Sequence, residues 1–472
     1  MPIQKTISPV DGSIYVEREL ANAASIDATL DRAVKAQHAW RAVSVADRAA
    51  ICRRFCDAFE KRRDAIALEL TWQMGRPIRY AASEVGGTLD RARYMIDAAP
   101  EALADVSAEA KENFVRFVRR EPLGVVFTVA AWNYPYLIAV NSVIPAIMAG
   151  NTVVLKHSAQ TPLCAERFAE CFVEAGLPEG VFQILHLSHE DTERVAKDSR
   201  VAFVAFTGSV AGGHAIQNAI ADRFIGAGLE LGGCDPAYVR HDANLAHAVE
   251  NLVDGAFFNS GQSCCGIQRI YVHETLYDGF VAGAIDLTKK YVLGKPTEQT
   301  STLGPVVRKS AAEQIRKQID ASLASGAKAA IDAKAFEAQA LEANGLKASG
   351  AGAPYMAPQL LLNVNHRMSV MREEIFGPVA GVMKVRSDDE AIALMNDSAF
   401  GLTAAIWTED ADAALAIGDR IDTGTWFMNR CDYLDPALAW VGVKDSGRGC
   451  TLSRVGYEHL TRPKSFHLRT RI

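Results

Sequence analysis

The sequence lacks a charged-then-apolar leader at Met1-Pro2-Ile3-Gln4-Lys5-Thr6, and it lacks an unbroken apolar run of membrane length. A secretory signal needs a positive segment followed by an apolar one, and a spanning helix needs about 20 predominantly apolar residues. The most apolar region, Leu123 to Leu155, is interrupted by Asn133, Pro135, Asn141, Pro145 and Asn151, so it reads as buried core. A soluble, cytoplasmic protein with no membrane partner is expected. Basic charge is also scarce: 50 Lys and Arg against 56 Asp and Glu leave a net charge of −6. No broad positive field is available to attract nucleic acid, so no such partner is expected. A paired-cysteine framework is missing too. The nine cysteines (Cys52, Cys56, Cys164, Cys171, Cys234, Cys264, Cys265, Cys431 and Cys450) are odd in number and irregular in spacing. That excludes a small secreted disulfide scaffold and favours reduced thiols. Cys52 and Cys56 share a helix face, but no histidine lies near them, so no metal site is assigned.

What is present describes a large globular chain. The 472 residues are 49% hydrophobic and 22% charged, which fits two or three domains at roughly 150 residues each. Residues 25–110 carry a helical pattern, with Asp47-Arg48-Ala49 and Asp64-Ala65-Ile66 as helix starts. Lys61-Arg62-Arg63 reads as a solvated face. From 124 to 231 strand and helix alternate. Strands are predicted over Gly124–Ala130, Thr152–Leu155, Val181–Leu185 and Val201–Phe206; helices over Asn141–Met148, Pro162–Glu174, 190–198 and Val210–Ala221. Such βαβ alternation implies a parallel sheet with ligands at the strands' C-terminal ends. Thr207-Gly208-Ser209 falls at one such end, where backbone N–H groups and a helix start suit a pyrophosphate. It is not the GxGxxG fingerprint, and a bare strand-to-helix turn explains it equally well. Residues 233–445 read as a second α/β unit, and the Ala-rich span 310–352 as a helix followed by a loop without chemistry. Phe114–Arg119 and Lys464–Arg471 alternate like exposed strands that invite pairing with another subunit.

The chain is organised around Phe257-Phe258-Asn259-Ser260-Gly261-Gln262-Ser263-Cys264-Cys265-Gly266. A helix pattern enters this stretch, Gly261 supplies a helix stop, and Ile267–Val272 leaves as a strand. A free cysteine is usually a small buried hydrophobe; here the surroundings argue otherwise. The stretch resembles the nucleophile signature of the aldehyde dehydrogenase superfamily, and other segments of that family follow in order over nearly the whole chain. The resemblance implies a Rossmann-like dinucleotide-binding domain (1–107 and 124–232), a second α/β catalytic domain (233–446) and a β-strand oligomerisation arm (108–123 and 447–472). A homodimer or homotetramer is then expected.

Several roles are implied by the resemblance. Cys264 matches the nucleophile, and Asn133 in Ala131-Trp132-Asn133-Tyr134-Pro135 matches the amide that donates to the oxyanion. Glu230 in Leu229-Glu230-Leu231-Gly232-Gly233, 34 positions ahead of Cys264, matches the base that activates the deacylating water. Trp132, Lys156, Ser158, Gly208, Ser209, Gly213, Leu231, Glu374 and Phe376 map onto the cofactor-binding set, the last two within Glu373-Glu374-Ile375-Phe376-Gly377-Pro378. Many members carry a glutamate that repels a 2′-phosphate where this chain has Ala159; its loss permits NADP without creating affinity. Both NAD and NADP therefore stay open as cofactors. The substrate pocket maps onto Tyr134, Ile138, Asn141, Asp432 and Trp440. Succinic semialdehyde enzymes, which the segment Val153–Pro162 resembles, place an arginine where this chain has Asn141, and Arg430 is the candidate replacement. The implied reaction is oxidation of an aldehyde to the acid by NAD(P) through a cysteine thiohemiacetal and thioester. A CoA-acylating enzyme is an alternative that Glu230 argues against, and a catalytically silent relative is one that Cys264, Asn133 and Glu230 argue against. Cys265 is either a redox partner or packing behind the nucleophile.

Overall fold

A computed structural model of the chain describes residues 2–334, 336, 338 and 354–472. Its first sheet has six strands in the spatial order Gly447–Arg448, Gly226–Glu230, Val201–Thr207, Val125–Ala130, Thr152–His157 and Phe182–Ile184. All pair in parallel except Gly447–Arg448, which runs antiparallel along Gly226–Glu230. In chain order the sheet starts at Val125–Ala130, builds outward to one side, then crosses to the other. The reversal lies between Val125–Ala130 and Val201–Thr207, and a doubly wound sheet binds its ligand at that point. The strand Thr152–His157 is buried on both faces, as parallel strands covered by helices are.

Helices clothe this sheet much as the apolar periodicity predicts. Pro162–Glu174 has the predicted bounds, and Val210–Ala219 and His189–Lys197 lie within a residue or two of theirs. The helix Pro135–Met148 begins six residues earlier than Asn141. Pro135 sits in its first turn, where a missing N–H costs nothing, and the Tyr136 N–H donates to Glu84 Oε1 at 2.8 Å. In the N-terminal region Ser44 caps Val45–Glu60 and Arg63–Met74 ends at Gly75 (φ 82°). The long helix Ser83–Ala102 packs beside Pro135–Met148 and contributes Val85, Leu89, Ala92, Met95 and Ile96 to one apolar core with it.

The second sheet has seven strands: Lys328–Ala329, Gln359–Leu362, Val379–Val385, Ile267–His273, Asp235–Val239, Thr403–Trp407 and Thr425–Met428. Only the short Lys328–Ala329 edge is antiparallel. The helix Lys309–Ala324 is present in the span 310–352, and the part of the predicted loop at 339–352 lies outside the described residues. A third sheet pairs Thr461–Arg469 with Phe114–Pro122 and Val106–Ser107, all antiparallel. The C-terminal strand thus begins at Thr461, while Gly447–Arg448 returns to the first sheet. No helix of the described residues is long and apolar enough to cross a membrane.

Candidate active site

The helix Leu245–Phe257 delivers the chain to the nucleophile loop, but Gly261 does not stop it. The helix ends at Phe257, and Asn259 (φ 53°), Ser260 (φ 57°) and Gly261 (φ 68°) form a left-handed run. Left-handed backbone is costly outside glycine, so this run is held from several sides. Asn259 Nδ2 donates to Asn133 O at 3.2 Å and to Gln262 O at 3.1 Å; Ser260 Oγ donates to Gly304 O at 2.9 Å. A Cβ on Gly261 would strike the carbonyl of Gly377. The turn therefore fixes Cys264 relative to the Glu373–Pro378 segment.

Cys264 is half-buried, whereas Cys265 beside it is buried. Cys265 Sγ donates to Asp432 Oδ1 at 2.9 Å, and Ser263 Oγ donates to the same oxygen at 2.8 Å. Hydrogen bonding to Cys264, then burial, push the Cys265 thiol well above its ordinary range. Cys265 is therefore held as a protonated neighbour. Burial pushes Asp432 up to about 6. Asp432 braces the nucleophile turn as well as lining the chamber in front of it.

That chamber encloses about 810 Å³, and Asn133, Glu230 and Cys264 all line it. So do Tyr134, Ile138, Asn141, Asp432 and Trp440, the residues matched to the substrate pocket. Asn133 Nδ2 donates to Gln262 O at 3.3 Å, while among the described residues the Cys264 N–H has no acceptor. One weakly engaged amide donor and one free backbone N–H thus belong to residues of the wall that carries Cys264, the kind of donors that oxyanion stabilisation uses. Glu230 ends the strand Gly226–Glu230; its carboxylate accepts from Thr207 Oγ1 at 3.0 Å and Thr451 Oγ1 at 2.6 Å. Burial raises its pKa despite these bonds. An accessible, raised carboxyl is suited to take a proton from water.

The residues matched to cofactor binding gather at the sheet's reversal point. Trp132 and Lys156 follow or close two adjacent strands, and Gly208 and Ser209 follow a third. Ser209 Oγ caps the helix Val210–Ala219 by accepting from Gly212 N at 3.2 Å. A Cβ on Gly213 would sit 2.7 Å from Leu231 Cδ1, so glycine there keeps the helix close to that strand end. Lys156 is buried, which lowers its pKa to about 8. Ser158 Oγ accepts from Gln160 N at 3.2 Å. Across the cleft, Glu374 Oε1 accepts from Gly233 N at 3.1 Å and burial pushes the carboxyl up to about 7. Phe376, at φ 56°, meets the Trp132 ring edge-on at 5.6 Å. A buried ammonium, a half-buried carboxyl and a glycine-tight helix start fit a polar dinucleotide lying between the two sheets.

Sequence reasoning missed the contribution of the N-terminal helices. Arg76, Glu84 and Arg91 line the chamber. Arg76 and Glu84 form a buried ion pair, and Arg76 also donates to Asn259 Oδ1 at 3.2 Å and lies over the Tyr134 ring at 4.5 Å. Glu84, Thr88, Arg91 and Met95 recur at helical spacing on the buried face of Ser83–Ala102. Polar residues on an otherwise apolar face were the available signal. Arg430, the expected cation, is instead exposed, stacked on Tyr433 at 3.8 Å, and absent from the chamber wall.

The comparisons agree with this geometry. A succinate-semialdehyde dehydrogenase (NADP(+)) of Mycolicibacterium paratuberculosis (strain ATCC BAA-968 / K-10) is 34% identical over 459 residues, covering 97% of this chain and 94% of the relative. The succinate semialdehyde dehydrogenase (NAD(P)+) Sad of Escherichia coli (strain K12) is 32% identical, covering 96% and 95%. Among solved structures, a succinic semialdehyde dehydrogenase of Streptococcus pyogenes in complex with NADP+ superposes with TM-score 0.92 at 28% identity, over 99% of this chain and all (100%) of that one. Gox0499, solved for its cofactor and substrate selection, gives TM-score 0.92 at 31% identity, over 99% and 100%. The profile of the aldehyde dehydrogenase family matches residues 2–466, and with a sulfur, an amide and a carboxylate from three distant segments facing one chamber, the chain belongs to that family.

Proposed function

We propose that the chain oxidises a short aldehyde to its carboxylic acid, with Cys264 as nucleophile, Asn133 as oxyanion donor and Glu230 as base. The Cys264 thiolate adds to the aldehyde carbon, and the new alkoxide is met by the Asn133 amide and the Cys264 N–H. Lys156, Ser158, the Gly208-Ser209 turn and Glu374 would hold NAD or NADP, which when bound would supply the acceptor for the aldehyde hydrogen as hydride. The thioester left on Cys264 is hydrolysed when Glu230 removes a proton from water; the acid leaves and the thiol is restored. What carries this reading is the meeting of Cys264, Asn133 and Glu230 in the wall of one 810 Å³ chamber. Glu230 also favours hydrolysis over acyl transfer to CoA. The relatives' names favour a semialdehyde, an aldehyde bearing a carboxylate, as the substrate.

The same reading divides the chain at 232/233 into a cofactor domain and a nucleophile domain, joins subunits through the third sheet, and places the enzyme in the cytoplasm. Its test is a pair of variants. Cys264→Ser is expected to form no NAD(P)H, and normal turnover by it would refute the assignment. Glu230→Gln is expected to give a first burst of reduced cofactor of about one equivalent, with steady turnover down roughly 100-fold or more. Unchanged steady turnover would mean that another group activates the water.

A further inference from the structure

Among the described residues three cationic side chains line the chamber: Arg76, Arg91 and Lys290. Arg76 is fully engaged by Glu84, Asn133 O and Asn259. Lys290 is exposed, at a part of the wall shared with Glu250 and Asp254. Arg91 differs from both. The residue is buried at 9% exposure, yet it forms no ion pair among the described residues. Nη1 donates to Leu137 O at 2.8 Å and to Asn141 Oδ1 at 3.2 Å. Nη2 and Nε have no acceptor among the described residues. The acidic groups whose charge reaches it are Glu230 and Glu84; the first already accepts from Thr207 and Thr451, and the second is paired with Arg76. A buried charge with unused donors is costly unless something pairs with it, and a guanidinium edge with two free nitrogens suits a carboxylate held by two hydrogen bonds.

We infer that Arg91, reaching in from the helix Ser83–Ala102 and clamped by Leu137 and Asn141, binds the carboxylate of a semialdehyde substrate while its aldehyde carbon lies at Cys264. This rests on the reaction and substrate class proposed above. Asn141 occupies the position at which the resemblance leads one to expect an arginine. Here the positive charge comes from the neighbouring helix, and Asn141 becomes the acceptor that orients it.

The test compares 4-oxobutanoate with butanal, which has the same chain length and no carboxylate, in the wild type, Arg91→Met and Arg91→Lys. Wild type is expected to prefer 4-oxobutanoate. In Arg91→Met the ratio of kcat/KM for the two aldehydes is expected to fall roughly 10- to 100-fold, chiefly through KM for 4-oxobutanoate. Arg91→Met removes the desolvation cost of an unpaired buried charge but leaves Leu137 O and Asn141 Oδ1 without their donor. If Arg91→Met fails to fold, Arg91→Lys carries the test: it keeps the charge but loses the two-pronged geometry, and a several-fold fall in the ratio is expected. An unchanged ratio, or equal loss of kcat on both aldehydes, overturns the inference and makes Arg91 a partner of Glu230. A wild type that oxidises butanal as well as 4-oxobutanoate overturns the substrate class and this inference together, while leaving the reaction standing. No oxidation of either aldehyde sinks all three.

Discussion

Glu230 is useful because it is expensive. Burial makes its ionised form costly, and the hydroxyls of Thr451 and Thr207, the charge of Arg91 and the Asn141 amide offset only part of that cost. Its folded-state pKa therefore lies above that of the unfolded chain, and the sign of two effects follows. If the carboxylate is the base proposed above, the rate of thioester hydrolysis should climb as pH rises through the raised pKa, and in Glu230→Gln that limb of the steady-state profile should vanish. For stability the direction is opposite. A proton held more tightly by the folded state contributes stability below the unfolded pKa, and that contribution is lost as pH rises through the folded pKa. Above the raised pKa the charged Glu230 is then a burden, so Glu230→Gln should melt at the same temperature as wild type or higher. A calorimetric Tm clearly below wild type in that pH range would contradict this account of the site.

At the scale of elements, the proposed cofactor site depends on how closely a helix start can approach a strand end. The helix Val210–Ala219 begins at Ser209, and its Gly213 faces Leu231, the residue after Glu230. Alanine at 213 would set a methyl 2.7 Å from Leu231 Cδ1 and 2.8 Å from Cδ2. Either the helix start or Leu231 must move, at a typical overpacking cost of about 1–3 kcal/mol. Gly213→Ala is expected to weaken NAD and NADP binding several-fold, followed by quenching of protein fluorescence, with a smaller change in the KM for aldehyde. Equal affinity for the cofactors would show that this approach does not shape their site. The nucleophile turn obeys the same logic with a different device. Three successive left-handed residues, Asn259, Ser260 and Gly261, replace the single glycine stop that the sequence suggested. Helix periodicity located Leu245–Phe257 but gave no sign of them, because bonds to Gly304 and Asn133, remote in sequence, hold them there.

At the scale of the molecule, the third sheet stands apart from both cores. Phe117 stacks on Phe466 at 4.6 Å, and Val115 pairs with Leu468 across the strands. Val115 and Leu468 are exposed by 46% and 50%, and adjacent apolar side chains on an exposed sheet invite a second subunit. Val115→Lys with Leu468→Lys should lower the mass found by light scattering, and a monomeric wild type would remove the arm's assigned role. Much of this architecture was legible in the sequence. Alternating and helical apolar periods depend on near neighbours along the chain, so Val125–Ala130, Pro162–Glu174 and Ile267–His273 could be read directly. The segments around Cys264, Glu230, Asn133 and Glu374 could be matched because each is a short contiguous string. What only the tertiary structure decided is who else faces the chamber. Arg91 and Arg430 are both arginines near matched segments or helices, and no local rule separates them. Packing of Ser83–Ala102 against Pro135–Met148 turns the first inward, while Tyr433 holds the second at the surface. Local patterns specify elements because their causes are local; a binding chamber is built from long-range contacts, and its charge is settled only when distant helices meet.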